Sequence, residues 1–130
     1  MAATRLPHPW DSPGKNTTLA KLAEDTDDGV RRCVTQNPNT PAEILAKLAE
    51  DEYWDIRDNV ARNANTSIES LIRLLKDSDT DVRASAFLQL KNHEADLNES
   101  ELLDIAGGAH KDIKEWVLTK LKDMYKKGII

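Results

Sequence analysis

Cysteine is almost missing from this chain: Cys33 is the only one in 130 residues. A single thiol closes no internal disulfide and builds no thiolate metal site, and it fits a reducing, cytoplasmic setting. Aromatic residues make up only 5%, with no interleaving of aromatic and basic side chains of the kind that stacks nucleic-acid bases. No run of about 18 apolar residues occurs, so no bilayer-spanning helix and no membrane partner are expected. Met1 to Pro13 holds three prolines and no apolar core, so it is not read as a secretory signal. His8, His93 and His110 are scattered, no His–carboxylate pair has the helical spacing of metal ligands, and no nucleophile–base motif is evident. Gly107-Gly108 lacks the Lys-Ser/Thr of a phosphate loop. These absences argue against an enzyme, and neither cofactor nor metal is expected.

What is present is charge and repetition. The net charge is −5, with 32% charged and 39% hydrophobic residues, an acidic, water-facing composition large enough for one modest core. The phrase Leu19-Ala20-Lys21-Leu22-Ala23-Glu24-Asp25, followed by Val30-Arg31, Val34 and Asn37-Pro38-Asn39-Thr40-Pro41, is rewritten as Leu45-Ala46-Lys47-Leu48-Ala49-Glu50-Asp51, Ile56-Arg57, Val60 and Asn63-Ala64-Asn65-Thr66. A third copy runs Leu71 to Asp77, then Val82-Arg83 and Ala86. Successive copies are 26 residues apart, and a period of this size is the mark of stacked units.

Each unit reads as two short helices. Thr40-Pro41-Ala42-Glu43 predicts a capping box with proline at the first helical position, and Thr66 to Glu69 and Asn98 to Glu101 predict two more. Leu45, Leu48 and Ala49, or Leu71, Leu74 and Leu75, make one apolar stripe. The acidic turns Asp25 to Gly29, Asp51 to Trp54 and Asp77 to Thr80 offer N-caps for the second helix. That helix shows Val30/Val34, Ile56/Val60 and Val82/Ala86. Asn37 and Asn63 are expected to end it in a left-handed conformation. One thin stripe does not offset the entropy of ordering a unit, so neighbours must lean on one another.

The ends differ. Residues 1–17, with Leu6 and Trp10, read as an irregular capping segment, and 18–130 as a single repeat domain. Ala84 to Lys91 reads as a longer helix and Asn92 to Ser100 as a lengthened connection. A fourth unit carries Leu102, Leu103, Ile105, Ala106, Ile113 and Val117, with Ile113 31 residues after Val82. A closing helix over about Asp112 to Lys127 is predicted, with Trp116 in the core.

Leu22-Ala23, Asp25, Val30-Arg31, Val34 and the Asn37 to Pro41 phrase, with their second copies, resemble the leucine-rich repeat variant family, close to the HEAT and armadillo solenoids. The likeness covers Leu19 to Ala86, with Leu102 to Leu121 as a degenerate copy. It implies an all-α fold: a short right-handed α-solenoid of about four HEAT-like two-helix repeats, the second helices partly 3-10. It implies no catalytic residues. Some members carry an N-terminal iron–sulfur cysteine cluster, and no cysteine precedes Cys33 here. Some related HEAT-like proteins bind DNA on a basic concave surface.

Candidate sites follow from the register. Asp25, Asp51 and Asp77 recur with Arg31, Arg57 and Arg83, which predicts a ladder, each Asp pairing with an Arg in its own or the next unit and with free helix-end amides, the alternative being a charged row facing a ligand. The partly buried Asn37 and Asn63 are expected to satisfy backbone groups. Asp77-Ser78-Asp79-Thr80-Asp81 and Asp25-Thr26-Asp27 open like calcium loops, but the required later Gly and Glu are missing from both. Tyr53-Trp54 breaks the register, reading either as an interface anchor or as an aromatic folded onto the next unit, since Trp occurs at this place in the family.

The leading expectation is a non-catalytic module that binds another protein through Tyr53, Trp54, Arg32, Asp55 and Asp28. A second reading has Arg31, Arg32, Arg57, Arg62, Arg83 and Lys114, extended by Lys91, Lys120 and Lys122, contacting a nucleic-acid backbone. A third has the acidic edge, with Asp27, Asp28 and Asp55, inhibiting a nucleic-acid-binding protein.

Overall fold

The computed structural model describes residues 15–107 and 110–130. Among these the chain is all-helical, with no strand. The helices are α1 (Lys15–Ala23), α2 (Asp28–Gln36), α3 (Ala42–Leu48), α4 (Trp54–Arg62), α5 (Ile68–Leu74), α6 (Thr80–Asn92), α7 (Glu99–Ala106) and α8 (Lys111–Lys126), with one 3-10 turn at Glu94–Asp96. Lys15 to Thr17, expected in the irregular leader, belong to α1; the rest of that segment, including Leu6 and Trp10, lies outside the described residues.

Apolar positions 26 residues apart take equivalent places in one core. Leu19, Leu45 and Leu71 are buried together, as are Val34, Val60 and Ala86. Ile56 and Val82 are fully buried, while Val30, their counterpart in the first unit, is half-buried. Leu102, Ile105, Ile113 and Val117 continue the cluster. Second helices pack in sequence, α2 on α4 and α4 on α6, while α1 meets α3 and α7 pairs with α8.

The helix ends correct the sequence reading in three places. Thr40 does not cap α3: its hydroxyl donates to the Val34 carbonyl at 2.6 Å, and Pro41 holds the N-cap position with no side-chain bond. Thr66 makes the same bond to the Val60 carbonyl, leaving Ser67 to cap α5 by accepting from the Ser70 amide at 3.1 Å. At the ends of α2 and α4 the Val34 and Val60 carbonyls accept from the Asn37 and Asn63 amides, and the threonine hydroxyl adds a second bond to each. The capping box at Asn98 and Glu101 does form.

Asn37 and Asn63 end their helices in extended backbone, with φ −77° at both, not in the left-handed region. Their side chains turn the chain instead, each carboxamide oxygen accepting from the amide two residues on at 2.9 Å. Lastly, α2, α4 and α6 are α-helical throughout. Asp27 and Asp79 satisfy the first amides of α2 and α6, and at the ends of α2 and α4 the Asn37 and Asn63 amides make single 3-10-type bonds to the carbonyls three residues back.

The third unit departs from the first two where the asparagine phrase is lost. Helix α6 runs 13 residues against nine for α2 and α4, and the 3-10 turn completes the lengthened link. Phe87 of α6 meets Trp116 of α8 edge-on at 5.5 Å between ring centroids, and Lys120 pairs with Glu94 at 2.7 Å. Trp116 is partly buried against the core. Helix α8, the longest among the described residues at 16 residues, ends at Gly128, whose φ of 74° lets the Ile129 amide donate back to the Met124 carbonyl at 2.9 Å.

Candidate functional site

The acidic turn before each second helix organises the surface. In all three units the arginine at its fourth position folds back onto its own turn: Arg31, Arg57 and Arg83 donate through Nη1 to the carbonyls of Asp25, Asp51 and Asp77, at 2.8, 2.7 and 2.7 Å. Arg31 and Arg57 also reach forward. Arg31 Nε donates to Asp51 Oδ2 at 2.8 Å and Nη2 to Oδ1 at 3.4 Å. Arg57 binds Asp77 the same way, at 2.8 and 3.1 Å. These pairs form a ladder, but each aspartate meets the arginine of the preceding unit, not that of its own or the next unit as the sequence suggested. The hydrogen bond to Asp77 is the main cause holding the Arg57 guanidinium above its ordinary pKa, partly opposed by burial. Arg31 is raised likewise, first by its hydrogen bond to Asp51. A raised arginine stays charged until strong alkali, so the ladder's contribution persists through the whole neutral range.

A second ladder runs along the other end of the same helices. Asn63 Nδ2 donates to the carbonyls of Thr35 and Asn37, at 2.9 and 3.0 Å. Asn65 Nδ2 donates to those of Pro38 and Thr40. Asn63 thus satisfies backbone groups as expected, but those of the preceding unit.

Tyr53 and Trp54 lie at the junction of these stitched units, 45% and 47% exposed. Tyr53 occupies the N-cap position of α4 and makes no cap bond, where the register positions in α2 and α6 are Asp27 and Asp79, both capping. One face of Tyr53 is covered by Arg31, whose guanidinium carbon is 5.7 Å from the ring centroid. Beside Trp54, Arg32 bridges Asp28 at 3.0 Å and Asp55 at 2.6 Å, tying α2 to α4. Of the expected protein-binding set, Arg32, Asp28 and Asp55 are brought together by these pairs, and Tyr53 and Trp54 immediately precede Asp55 in the chain. Around them Glu24, Asp27, Glu50 and Glu52 are exposed.

The expected arginine stripe comes apart. Arg31, Arg32 and Arg57 are held by carboxylates. Arg62 is exposed but pairs with Asp58 at 3.0 Å, and buried Asp58 also accepts from the Ser85 hydroxyl at 2.6 Å. Lys114 is exposed on α8. Arg83 has no carboxylate at ion-pair distance among the described residues. Asp77 and Asp79, which open the calcium-like loop, are spent on the ladder and on the α6 cap. Among the described residues no group of three or more His, Cys, Asp or Glu is arranged to hold a metal, and no helix is long and apolar enough to cross a membrane.

No family model, curated protein or solved structure matches this chain.

Sequence reasoning missed the threonine bonds, Asn65 and the Asp58–Ser85 contact. The threonines recur in register and were legible as a structural device, but their role was assigned to the helix that follows them. Tyr53 standing where the other units have aspartate was readable in the register; the uncapped helix start it leaves was not drawn from it.

Proposed function

We propose that this chain is a short right-handed α-solenoid of about four two-helix repeats, of the leucine-rich repeat variant kind, and that it serves as a non-catalytic module for binding another protein. Support for the stacking comes from the Arg–Asp rung, which recurs 26 residues on with nearly the same distances, and from the in-register burial of Leu19, Leu45 and Leu71. Such an array is held together by contacts between neighbours and exposes a long repeated surface.

The observation that carries the binding reading is Tyr53-Trp54. A cap aspartate is absent from α4, a loss of about 1 kcal/mol, and two large aromatic side chains stand half in water. The Arg31 guanidinium over the Tyr53 ring offsets only part of that cost. Trp and Tyr are the residue types that anchor interfaces. The pair is bordered by exposed carboxylates, so the partner is a protein presenting basic side chains, a cation lying over the Trp54 ring and its neighbours meeting Glu50 and Glu52. A basic nucleic-acid-binding protein inhibited through the acidic edge is one case of this docking. Direct phosphate binding is the weaker reading, because the backbone would have to displace carboxylates from Arg31, Arg32 and Arg57.

Titration of the full chain with an oligolysine peptide tests it. The Trp54→Ala variant is expected to keep its helical circular dichroism and to bind about tenfold more weakly, while Leu88→Ala, another exposed apolar site, binds as the parent does. Equal binding by Trp54→Ala removes the aromatic pair from the surface. Binding of a duplex oligonucleotide in place of the peptide, falling steeply with salt, selects the phosphate reading instead.

A further inference from the structure

We infer that Arg83 is an unfilled rung of the ladder and a docking point for a carboxylate brought by a ligand. The three ladder arginines share one half of their geometry: each donates through Nη1 to the carbonyl of the aspartate six residues before it, at 2.7 to 2.8 Å. That shared anchor sets the guanidinium plane. In Arg31 and Arg57 the opposite edge, Nε with Nη2, grips the aspartate of the following unit with two parallel hydrogen bonds. In Arg83 the same edge has only one partner among the described residues, the Thr80 hydroxyl on Nη2 at 3.1 Å, and Nε has none.

The reason is in the register. Asp51 stands five residues before Ile56, and Asp77 five before Val82. Five before Ile113, the corresponding residue of the fourth unit, is Gly108, which has no side chain to offer. The donor pair is thus formed and the acceptor that matches it is missing from the sequence.

Space for that acceptor exists. A cleft of about 290 Å³ opens between α6 and the start of α8, lined by Arg83, Thr80, Phe87, His110 and Asp112 among others. It suits a side-chain-sized group. Arginine's planar fork matches a carboxylate with two bonds, and the two filled rungs show that match in this same chain. Asp112 in the cleft wall disfavours a doubly charged anion, so the ligand is a monoanionic carboxylate, not a phosphate. It is supplied either by an aspartate or glutamate of a bound peptide or by a free carboxylic acid. This site lies on α6 and α8, apart from the Tyr53-Trp54 turn, and stands or falls without it.

The test follows the arginine Nε–H resonances of the full chain at constant ionic strength. Without ligand, the Arg83 Nε–H is expected to exchange with solvent about tenfold faster than those of Arg31 and Arg57, which are hydrogen-bonded. Adding a blocked pentapeptide with one central Asp should shift the Arg83 signal saturably, and the Asn version should not. Acetate binding as tightly as the peptide identifies a free carboxylate as ligand; a response to the peptide alone identifies an acidic segment. By fluorescence anisotropy of the labelled peptide, Arg83→Lys should bind about tenfold more weakly, since it keeps charge and loses the fork, and Asp112→Asn should bind more tightly. An Arg83 Nε–H as protected as that of Arg57 in the free protein, the lack of a saturable shift, or tighter binding of inorganic phosphate than of either carboxylate would overturn the assignment.

Discussion

Tyr53 and Arg83 are both places where one unit lacks what its neighbours have, and they differ in what is lost. Tyr53 removes a cap: Tyr53→Asp is expected to stabilise the chain by about 0.5–1 kcal/mol in urea denaturation, the gain from capping less the lost contact with Arg31, while weakening oligolysine binding. A residue that lowers stability and raises binding is the pattern of a functional surface position. Arg57 and Arg83 separate the two halves of a rung. Arg57→Gln leaves Asp77, nearly buried, without its cation and should cost on the order of 3 kcal/mol. Arg83→Gln loses a bond to a backbone carbonyl and one to the exposed Thr80 hydroxyl and should cost about 1 kcal/mol. Equal losses in the two variants would mean the forward half of the rung carries no energy.

The helices are short enough that their ends decide their stability. A nine-residue helix leaves nearly half of its backbone groups unsatisfied from within, and in this chain several of them are met by side chains of the turn before it, the phrase after it or the following unit. Thr40 shows the consequence. Its hydroxyl satisfies the buried Val34 carbonyl, so Thr40→Val should cost about 1–2 kcal/mol, whereas Glu43→Ala, on the exposed start of α3, should change the denaturation midpoint hardly at all. The capping box expected from the sequence would make Glu43 matter as much as Thr40, and the comparison of the two midpoints decides between them.

Across the molecule, energy is carried at the joints between units. The arginine–aspartate ladder runs from α2 to the turn before α6, the asparagine bonds join α2 to α4 at the other end, and both link residues 20 to 28 positions apart. Asn63→Ala strips donors from two carbonyls of the preceding unit and should cost about 2 kcal/mol. That loss should appear in the hydrogen-exchange protection of α2 amides as well as of α4, because the bond belongs to both units. Protection lost in α4 alone would mean that the units open independently.

Helix type, unit length and the core were legible in the linear pattern, because local spacing places Leu45, Leu48, Ile56 and Val60 on faces that must be buried whatever lies beyond them. The Asp–Arg ladder was legible as a pairing but not in its direction. Asp51 lies six residues before Arg57 and 20 after Arg31, and only the packing of helices gives its carboxylate to the distant arginine while the near one takes its backbone carbonyl. The roles of Thr40, Thr66 and Asn65 were hidden for the same reason: a hydroxyl or amide can meet any nearby carbonyl, and which one it meets emerges once the helices have packed. The order of apolar and polar residues thus settled what each segment becomes, through forces acting over a few residues. Which charges are spent and which remain open to a ligand, at Arg32 and Arg57 on one side and Arg83 on the other, was set by neighbours distant in sequence, because desolvation and hydrogen-bond geometry depend on the whole surrounding fold.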